Sequence, residues 1–178
     1  FIPLFEKSEL IVKLDRYMFE HACRWYRSHL EQGGRPVSLA VNVSKAGLFQ
    51  NDFVDYYTDI KAKYSIPDRV MELEFTESIL AADTELFAEL VVNLNARGFI
   101  CSLDDFGSGY SSLNLLKNLP IDVLKLDILF FQKSRDIRRE RIVVSNVINM
   151  AKELDIKTIA EGVEDMDTVE FLRKAGCN

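Results

Sequence analysis

The stretch Phe99-Ile100-Cys101-Ser102-Leu103-Asp104-Asp105 is an apolar run, typical of a buried parallel strand, that ends in two adjacent carboxylates. Four other runs share this design: VSLAVNV ending near Asn42, VMELEF at Glu74, VLKLD at Lys125 and Asp127, and IKTIAEG at Glu161. Counted from position 42 through 74, 104 and 125 to 161, successive polar ends lie 32, 30, 21 and 36 residues apart. A strand, a crossover helix and the next parallel strand need about 30 residues, so the spacing predicts five parallel strands joined by helices.

Helical periodicity fills the intervals between these runs. A first helix is predicted between the cap residue Ser8 and Gly33-Gly34, with apolar residues at Ile11, Leu14, Met18, Ala22 and Trp25. Further helices are predicted at about 50–63, 83–97, 111–118, 134–154 and 165–175. The predicted buried face of the fourth of these is Val143, Val147, Met150 and Leu154. This alternation is typical of an α/β fold.

Two α/β architectures compete. A Rossmann-like open sheet would carry a glycine-rich phosphate loop, and neither GxGxxG nor GxxxxGK[ST] occurs in the chain. A TIM-like (β/α)8 barrel instead builds its active site at the carboxyl ends of its strands, where all five runs carry polar residues. Such barrels typically need about 250 residues. We therefore expect this chain of 178 residues to be an incomplete barrel of about five parallel strands with surrounding helices.

Net charge and cysteine spacing indicate which partners and which cellular compartment to expect. A net charge of −6 argues against broad electrostatic binding of DNA, RNA or an anionic membrane. Cys23, Cys101 and Cys177 form no CxxC pair, which favours reduced thiols in a cytoplasmic chain. We find no signal peptide or membrane-length apolar run, so a cytoplasmic region is expected, while anchoring of the parent protein through another region stays open.

The adjacent pair Asp104-Asp105 is the strongest chemical signal. Neighbouring carboxylates at a strand end repel each other, and a bridging cation stabilises them most naturally. The alternative is an ordinary strand-to-helix loop. Lys125 lies within an apolar run and needs an anionic partner, which is either a structural carboxylate or a group at an active site.

The remaining polar residues have ordinary alternatives when each is taken singly. Asn42 would serve as a turn or helix cap, and Glu77 and Glu164 as acidic residues that favour a helix start. Both histidines, His21 and His29, fall on the first predicted helix and away from every strand end. Water activated by a metal ion is therefore favoured over serine-hydrolase or zinc-hydrolase chemistry.

The ordered set of motifs resembles one family over essentially the whole chain. The motifs are FIPLFE at 1–6, VNVS at 41–44, LEFTES at 73–78, LDDFGSGYSSL at 103–113, DVLKLD at 122–127 and AEGVE at 160–164. Together they resemble EAL domains, the cyclic-di-GMP phosphodiesterases. The resemblance implies a site for two Mg²⁺ or Mn²⁺ ions. Asn42, Glu74 and Asp104 match ligands of one ion, and Asp104 bridges to a second ion, whose other ligands match Asp105 and Glu161.

The resemblance also implies roles for residues that hold no metal. Lys125 matches the lysine that contacts the attacking water or the phosphate. Glu77 matches a glutamate that holds the loop 106–112 in its working position, and that loop is linked to dimer-dependent regulation in the family. Asp127 and Glu164 match accessory acidic positions. The predicted catalytic set is Lys125, Glu77, Asp105 and Glu161.

The implied reaction is hydrolysis of cyclic-di-GMP to linear pGpG in bacterial second-messenger signalling. The implied partners are cyclic-di-GMP, a second copy in a homodimer, and GGDEF or sensor domains in the parent chain. The family's Glu-Ala-Leu strand and its terminal strand do not occur in the sequence, and Ser108 replaces the more usual threonine. We therefore expect residues 1–178 to be an EAL domain fragment that has little activity alone and associates through its open edges.

Two alternatives remain at this stage. One is a catalytically inactive EAL domain that acts as a cyclic-di-GMP receptor or a protein-interaction module. The other is a metal-dependent barrel that acts on a different phosphate ester. The two-metal phosphodiesterase is the favoured interpretation of the motifs.

Overall fold

The computed structural model describes residues 5, 10–79, 84–107, 116–127, 131 and 136–178. The chain divides into two compact units. The first unit is Phe1–Phe75 with Glu89–Cys101, and the second is Thr76–Ala88 with Ser102–Asn178. The described residues form five strands, each paired in parallel with a neighbour of its own unit, with helices between most of them along the sequence. Within the described ranges, no helix is long and apolar enough to cross a membrane.

The first unit is built around a pair of parallel strands. Its elements are α1 (Leu10–Glu31), β1 (Leu39–Val43), α2 (Lys45–Leu48), α3 (Phe53–Lys63), most of β2 (Met71–Thr76) and the C-terminal part of α4 (Thr84–Ala96). The pairing of β1 with β2 runs in uninterrupted register, from Leu39 opposite Met71 to Val43 opposite Phe75. An aromatic cluster packs α1 against α3: the Phe19 ring lies 4.4 Å from the Tyr57 ring.

The buried face of α1 differs from the prediction. Its buried residues are Ile11, Asp15, Phe19, Cys23 and Tyr26. Met18 and Trp25, which the predicted stripe contained, are 47% and 46% exposed. The helix has two adjacent apolar sides, and the buried side includes the charged Asp15. Because the predicted face was chosen for apolar residues alone, four of its five positions precede the buried residues by one. The helix ends before Gly33, whose φ of 80° is the left-handed conformation that terminates helices.

The second unit is built around three parallel strands. Its elements are the 3-10 helix Glu77–Ile79, most of β3 (Ile100–Phe106), β4 (Val123–Leu126), α5 (Ile137–Glu153), β5 (Lys157–Ala160) and α6 (Met166–Ala175). β4 pairs with β3 on one side and with β5 on the other, and all four of its residues are buried. Burial on both faces explains why its sequence is an almost continuous apolar run.

The buried face of α5 was also predicted only in part. Its buried residues are Val144, Val147, Ile148 and Ala151. Val147 was predicted correctly, but Val143 and Leu154 are 52% and 41% exposed. Apolar residues occur on two sides of this helix, so helical periodicity alone did not select the inward side. The predicted helix at 111–118 falls mostly outside the described residues, as does the predicted cap Ser8.

Candidate active site

Three neighbouring strands of the second unit end at one charged cluster. Asp104 lies near the end of β3, Lys125 lies in β4, and Glu161 directly follows β5. Lys125 Nζ lies 2.6 Å from Glu161 Oε1 and 3.4 Å from Asp104 Oδ1. The structure therefore brings these three predicted residues together at the carboxyl ends of parallel strands.

Burial explains why Lys125 needs both carboxylates. Its side chain is only 10% exposed, that of Asp104 is 14% exposed, and that of Glu161 is 45% exposed. A buried ammonium group is costly unless opposite charges and hydrogen bonds compensate for the lost water. The two carboxylates provide that compensation, and the partly exposed Glu161 leaves the cluster open to solvent on one side.

The register of β3 shifts at the acidic pair. Leu103 pairs with Leu124 and Phe106 pairs with Leu126, so three steps along β3 match two steps along β4. The additional residue forms a β-bulge, and Asp105 adopts a φ of 57°, which is uncommon for residues other than glycine. Its N–H donates a hydrogen bond of 2.9 Å to Asp104 Oδ1. Bulges redirect side chains, and this one interrupts the alternation that would send the two carboxylates to opposite faces.

The electrostatic environment of Asp105 is strongly acidic. Burial raises the pKa of Asp105, and the charges of Asp104, Asp127 and Glu161 raise it further, with a contribution from a hydrogen bond to Asp127. These four carboxylates and Lys125 carry formal charges of −4 and +1, a sum of −3. A cation would relieve this excess, and oxygen donors of this kind suit a hard divalent ion.

Glu77 contacts the start of the loop that follows β3. Glu77 is 2% exposed, and its Oε2 accepts a hydrogen bond of 3.2 Å from the N–H of Gly107. Gly107 has a φ of 104°, a conformation that only glycine adopts without strain. The carboxylate therefore holds the backbone at the point where the loop leaves the acidic bulge. Residues 108–112 of the same loop lie outside the described residues.

The first unit carries the two remaining predicted ligands. Asn42 of β1 pairs directly with Glu74 of β2 in the parallel register. Paired residues on neighbouring strands lie about 4.8 Å apart and point to the same face, so their side chains can share one ligand. Asn42 is exposed, whereas Glu74 is 8% exposed.

Two findings modify the predicted site. Across the described ranges, no three His, Cys, Asp or Glu side chains are arranged ready to hold a metal ion, so the ligand set remains a prediction. The sequence analysis also missed Asp15, which is buried on α1 and accepts hydrogen bonds from Ser44 beyond the end of β1. The only signal for it in the sequence is a charged residue at helical spacing from Ile11 and Phe19.

Comparisons with known proteins match the whole chain and indicate one family. A family model described as EAL domain matches residues 1–178. The bifunctional diguanylate cyclase/cyclic di-GMP phosphodiesterase MucR of Pseudomonas aeruginosa is 35% identical over 178 residues, which are 100% of this chain and 26% of that protein. The cyclic di-GMP phosphodiesterase PA2567 of the same organism is 32% identical over 182 residues, covering 100% of this chain and 30% of that protein. The chain thus spans less than a third of the length of these curated relatives.

The similarity extends to three dimensions. The solved structure of PaMucR phosphodiesterase in complex with c-di-GMP matches this chain with a TM-score of 0.90 and 36% sequence identity. The match covers 100% of this chain and 72% of that one.

Proposed function

This chain belongs to the EAL domain family, and from that premise we propose that its parent protein hydrolyses one phosphodiester bond of cyclic-di-GMP to give linear pGpG. The observation that carries the proposal is the contact of Lys125 with both Asp104 and Glu161 at the ends of three parallel strands. Relatives whose names include cyclic di-GMP phosphodiesterase match the chain from end to end. The predicted α/β fold of the TIM-like EAL type is confirmed by the structural similarity.

The donor chemistry of the site fits Mg²⁺ or Mn²⁺. The donors are carboxylate oxygens and one amide oxygen, and the raised pKa of Asp105 results in part from neighbouring carboxylates that a cation would screen. Asn42, Glu74 and Asp104 would hold one ion, and Asp104, Asp105 and Glu161 would hold the other. When bound, such ions lower the pKa of water and stabilise negative charge on phosphoryl oxygens.

Lys125 has the chemistry to orient the reactants. The ammonium group of Lys125 lies against Asp104 and Glu161, so it places a positive charge and N–H donors beside the carboxylates that would hold the metal ions. The strand β4 is buried throughout, so the base of this side chain is fixed within a rigid element. A positioned donor of this kind contributes to catalysis by stabilising charge that develops in the transition state.

Glu77 would act through the backbone. By accepting the Gly107 N–H, it restrains the loop that follows the two carboxylates Asp104 and Asp105. We propose that this restraint keeps the bulge in the geometry that metal binding needs. The same loop would transmit a regulatory signal in a homodimer, and GGDEF or sensor domains in the parent chain would provide that signal.

The decisive experiment uses the purified intact parent protein. It should convert cyclic-di-GMP to pGpG in the presence of Mg²⁺ or Mn²⁺, as followed by chromatography, and a chelator should abolish the conversion. Tight binding of cyclic-di-GMP without turnover would contradict the proposal and favour the inactive receptor. Hydrolysis of simple phosphodiesters without hydrolysis of cyclic-di-GMP would instead favour a different phosphate ester as substrate.

A further inference from the structure

A buried carboxylate on α1 holds the turn that follows β1. Asp15 is 7% exposed, and its Oδ2 accepts hydrogen bonds from the Ser44 backbone N–H at 3.0 Å and from the Ser44 hydroxyl at 2.5 Å. Ser44 Oγ in turn accepts a hydrogen bond of 3.0 Å from the Gly47 N–H, which caps α2. Two hydrogen bonds therefore fasten Ser44 onto α1, and the third ties Gly47 to Ser44.

Gly47 of α2 packs closely against the Asp15 carboxylate. A Cβ atom at Gly47 would lie 2.5 Å from Asp15 Oδ2 and 3.2 Å from Ser44 Oγ, so only glycine allows α2 to approach this closely. A looser turn would accommodate a larger residue or a water molecule at that position. The turn is thus held in one place by packing as well as by hydrogen bonds.

A serine cap alone does not require this arrangement. The Ser44 hydroxyl caps α2 by itself, as serine does at many helix starts. Burial of a carboxylate adds a cost, visible in the raised pKa of Asp15, which the hydrogen bonds from Ser44 only partly oppose. The additional charge strengthens the hold on the Ser44 backbone, because hydrogen bonds to an ionised acceptor are stronger than neutral ones.

The chain segment held by this carboxylate includes a predicted metal ligand. Asn42 lies two residues before Ser44, and the residue between them, Val43, is 3% exposed in the core opposite Phe75. The backbone of Asn42 is therefore restrained on one side by the strand pairing with Glu74 and on the other by the turn at Ser44.

We propose that Asp15 is a positioning residue that aims Asn42 at its metal ion through Ser44. This inference rests on the proposed function, because it assigns Asp15 a task in the same metal site. Residues that orient a metal ligand typically change metal affinity about 10- to 100-fold when they are removed. We expect the lower end of that range, since Asp15 acts on Asn42 through the backbone at Ser44.

The test compares four forms of the intact parent protein: wild type, Asp15→Ala, Asp15→Asn and the control Phe19→Leu. Phe19 lies one turn from Asp15 on the same buried face, so its truncation lowers stability without touching Ser44. Three quantities are measured: thermal unfolding, amide hydrogen exchange at Ser44 and Gly47, and Mn²⁺ affinity by electron paramagnetic resonance.

Asp15→Ala should accelerate exchange at both amides and weaken Mn²⁺ binding about tenfold. Asp15→Asn keeps an acceptor oxygen and should stay within about threefold of wild type. Phe19→Leu should lower the unfolding temperature but leave Mn²⁺ affinity and amide exchange at Ser44 and Gly47 unchanged. A folded Asp15→Ala protein with wild-type exchange and Mn²⁺ affinity would overturn the inference, as would an equal loss of affinity in Phe19→Leu.

A replacement variant and a separate activity assay cover two other outcomes. If Asp15→Ala does not fold, Ser44→Ala takes its place, because it removes the hydroxyl contacts while retaining the backbone N–H donor to Asp15. A wild-type protein that binds Mn²⁺ without hydrolysing cyclic-di-GMP would refute the proposed function alone. The exchange and affinity measurements would still decide the role of Asp15 in that case.

Discussion

Lys125 of β4 and Glu161, which directly follows β5, form an ion pair in which Nζ lies 2.6 Å from Oε1. The same Nζ lies 3.4 Å from Asp104 Oδ1. One positive charge therefore stabilises two carboxylates from the strands on either side. Removal of that charge should change both the free energy of unfolding and the dependence of that free energy on divalent cations.

Replacement of Lys125 by Met should destabilise the protein in a chelator and should do so less in Mg²⁺, because the ion would neutralise the same carboxylates. Breaking a fully buried ion pair costs about 3–5 kcal/mol. We expect about 1–3 kcal/mol here, because Glu161 is 45% exposed. Turnover should fall at least about 100-fold, the scale for loss of a preorganised electrostatic group. Urea unfolding with and without Mg²⁺ measures the first effect.

Lys61→Met is the matched control for that experiment. Lys61 is also buried and ion-paired, with Asp68 and the carbonyl oxygen of Arg97 as partners. Its replacement should cost stability to the same extent with and without Mg²⁺. A loss in Lys125→Met that is equally independent of Mg²⁺ would contradict a shared site for the lysine and the metal.

Replacement of Asp104 by Asn should reduce turnover of cyclic-di-GMP by the intact parent at least about 100-fold, through loss of the charge that would bridge both ions under the proposed function. The fold should survive, because Glu161 still pairs with Lys125 and the change relieves repulsion with Asp105. Steady-state kinetics and circular dichroism check the two parts. Near-normal hydrolysis by a folded variant would rule out the bridging role.

Replacement of Asp105 by Asn should stabilise the protein at neutral pH in a chelator. The folded-state pKa of Asp105 is raised, so its contribution to stability is fully present below the unfolded pKa and is lost as the pH rises through the folded value. The asparagine stays neutral, so its advantage in melting temperature should shrink as the pH falls toward the acid range. Thermal unfolding between acid and neutral pH follows the trend.

Asp165→Asn provides a control of opposite sign. Hydrogen bonds from Thr168 lower the pKa of Asp165, so its contribution to stability is present above the unfolded pKa and is lost as the pH falls through the folded value. This variant should therefore unfold at a lower temperature than wild type at neutral pH. If both variants shifted in the same direction, the electrostatic account of the acidic cluster would be wrong.

Replacement of Glu77 by Ala should lower turnover about 10- to 100-fold without unfolding the protein, because it releases the Gly107 N–H and loosens the loop beside the bulge. Glu77→Gln keeps an acceptor and should retain most of the activity. Amide exchange at Gly107 reports the contact directly. Equal activities for the two variants would show that the hydrogen bond to Gly107 has no part in catalysis.

Strand positions were predictable from the sequence because burial leaves polar groups little room except at strand ends, whereas the metal ligands stay a prediction that rests on the family resemblance. Lys125 within an apolar run indicated a compensated charge, and the structure supplies Asp104 and Glu161 as its partners. Periodicity did not reveal the bulge at Asp105, because a register shift depends on how two strands pair and leaves no mark in either sequence alone.

Helix orientation was less predictable for a related reason. α1 is apolar on two sides, and the buried side contains Asp15, whose burial cost is partly offset by hydrogen bonds from Ser44 in a distant segment. Helical periodicity depends on neighbouring residues and does not reveal a hydrogen bond from a distant segment. For the same reason, the sequence did not identify Asp15 as a candidate residue of the site.

The most direct measurement of the central claim is anomalous diffraction from crystals of the intact parent domain soaked in Mn²⁺. The account predicts two anomalous peaks about 3.5–4 Å apart, the separation typical of two-metal sites, with Asp104 touching both. Asn42 and Glu74 should contact one ion, and Asp105 and Glu161 the other. A single peak, no peak, or Mn²⁺ bound away from Asp104 would contradict the two-metal site.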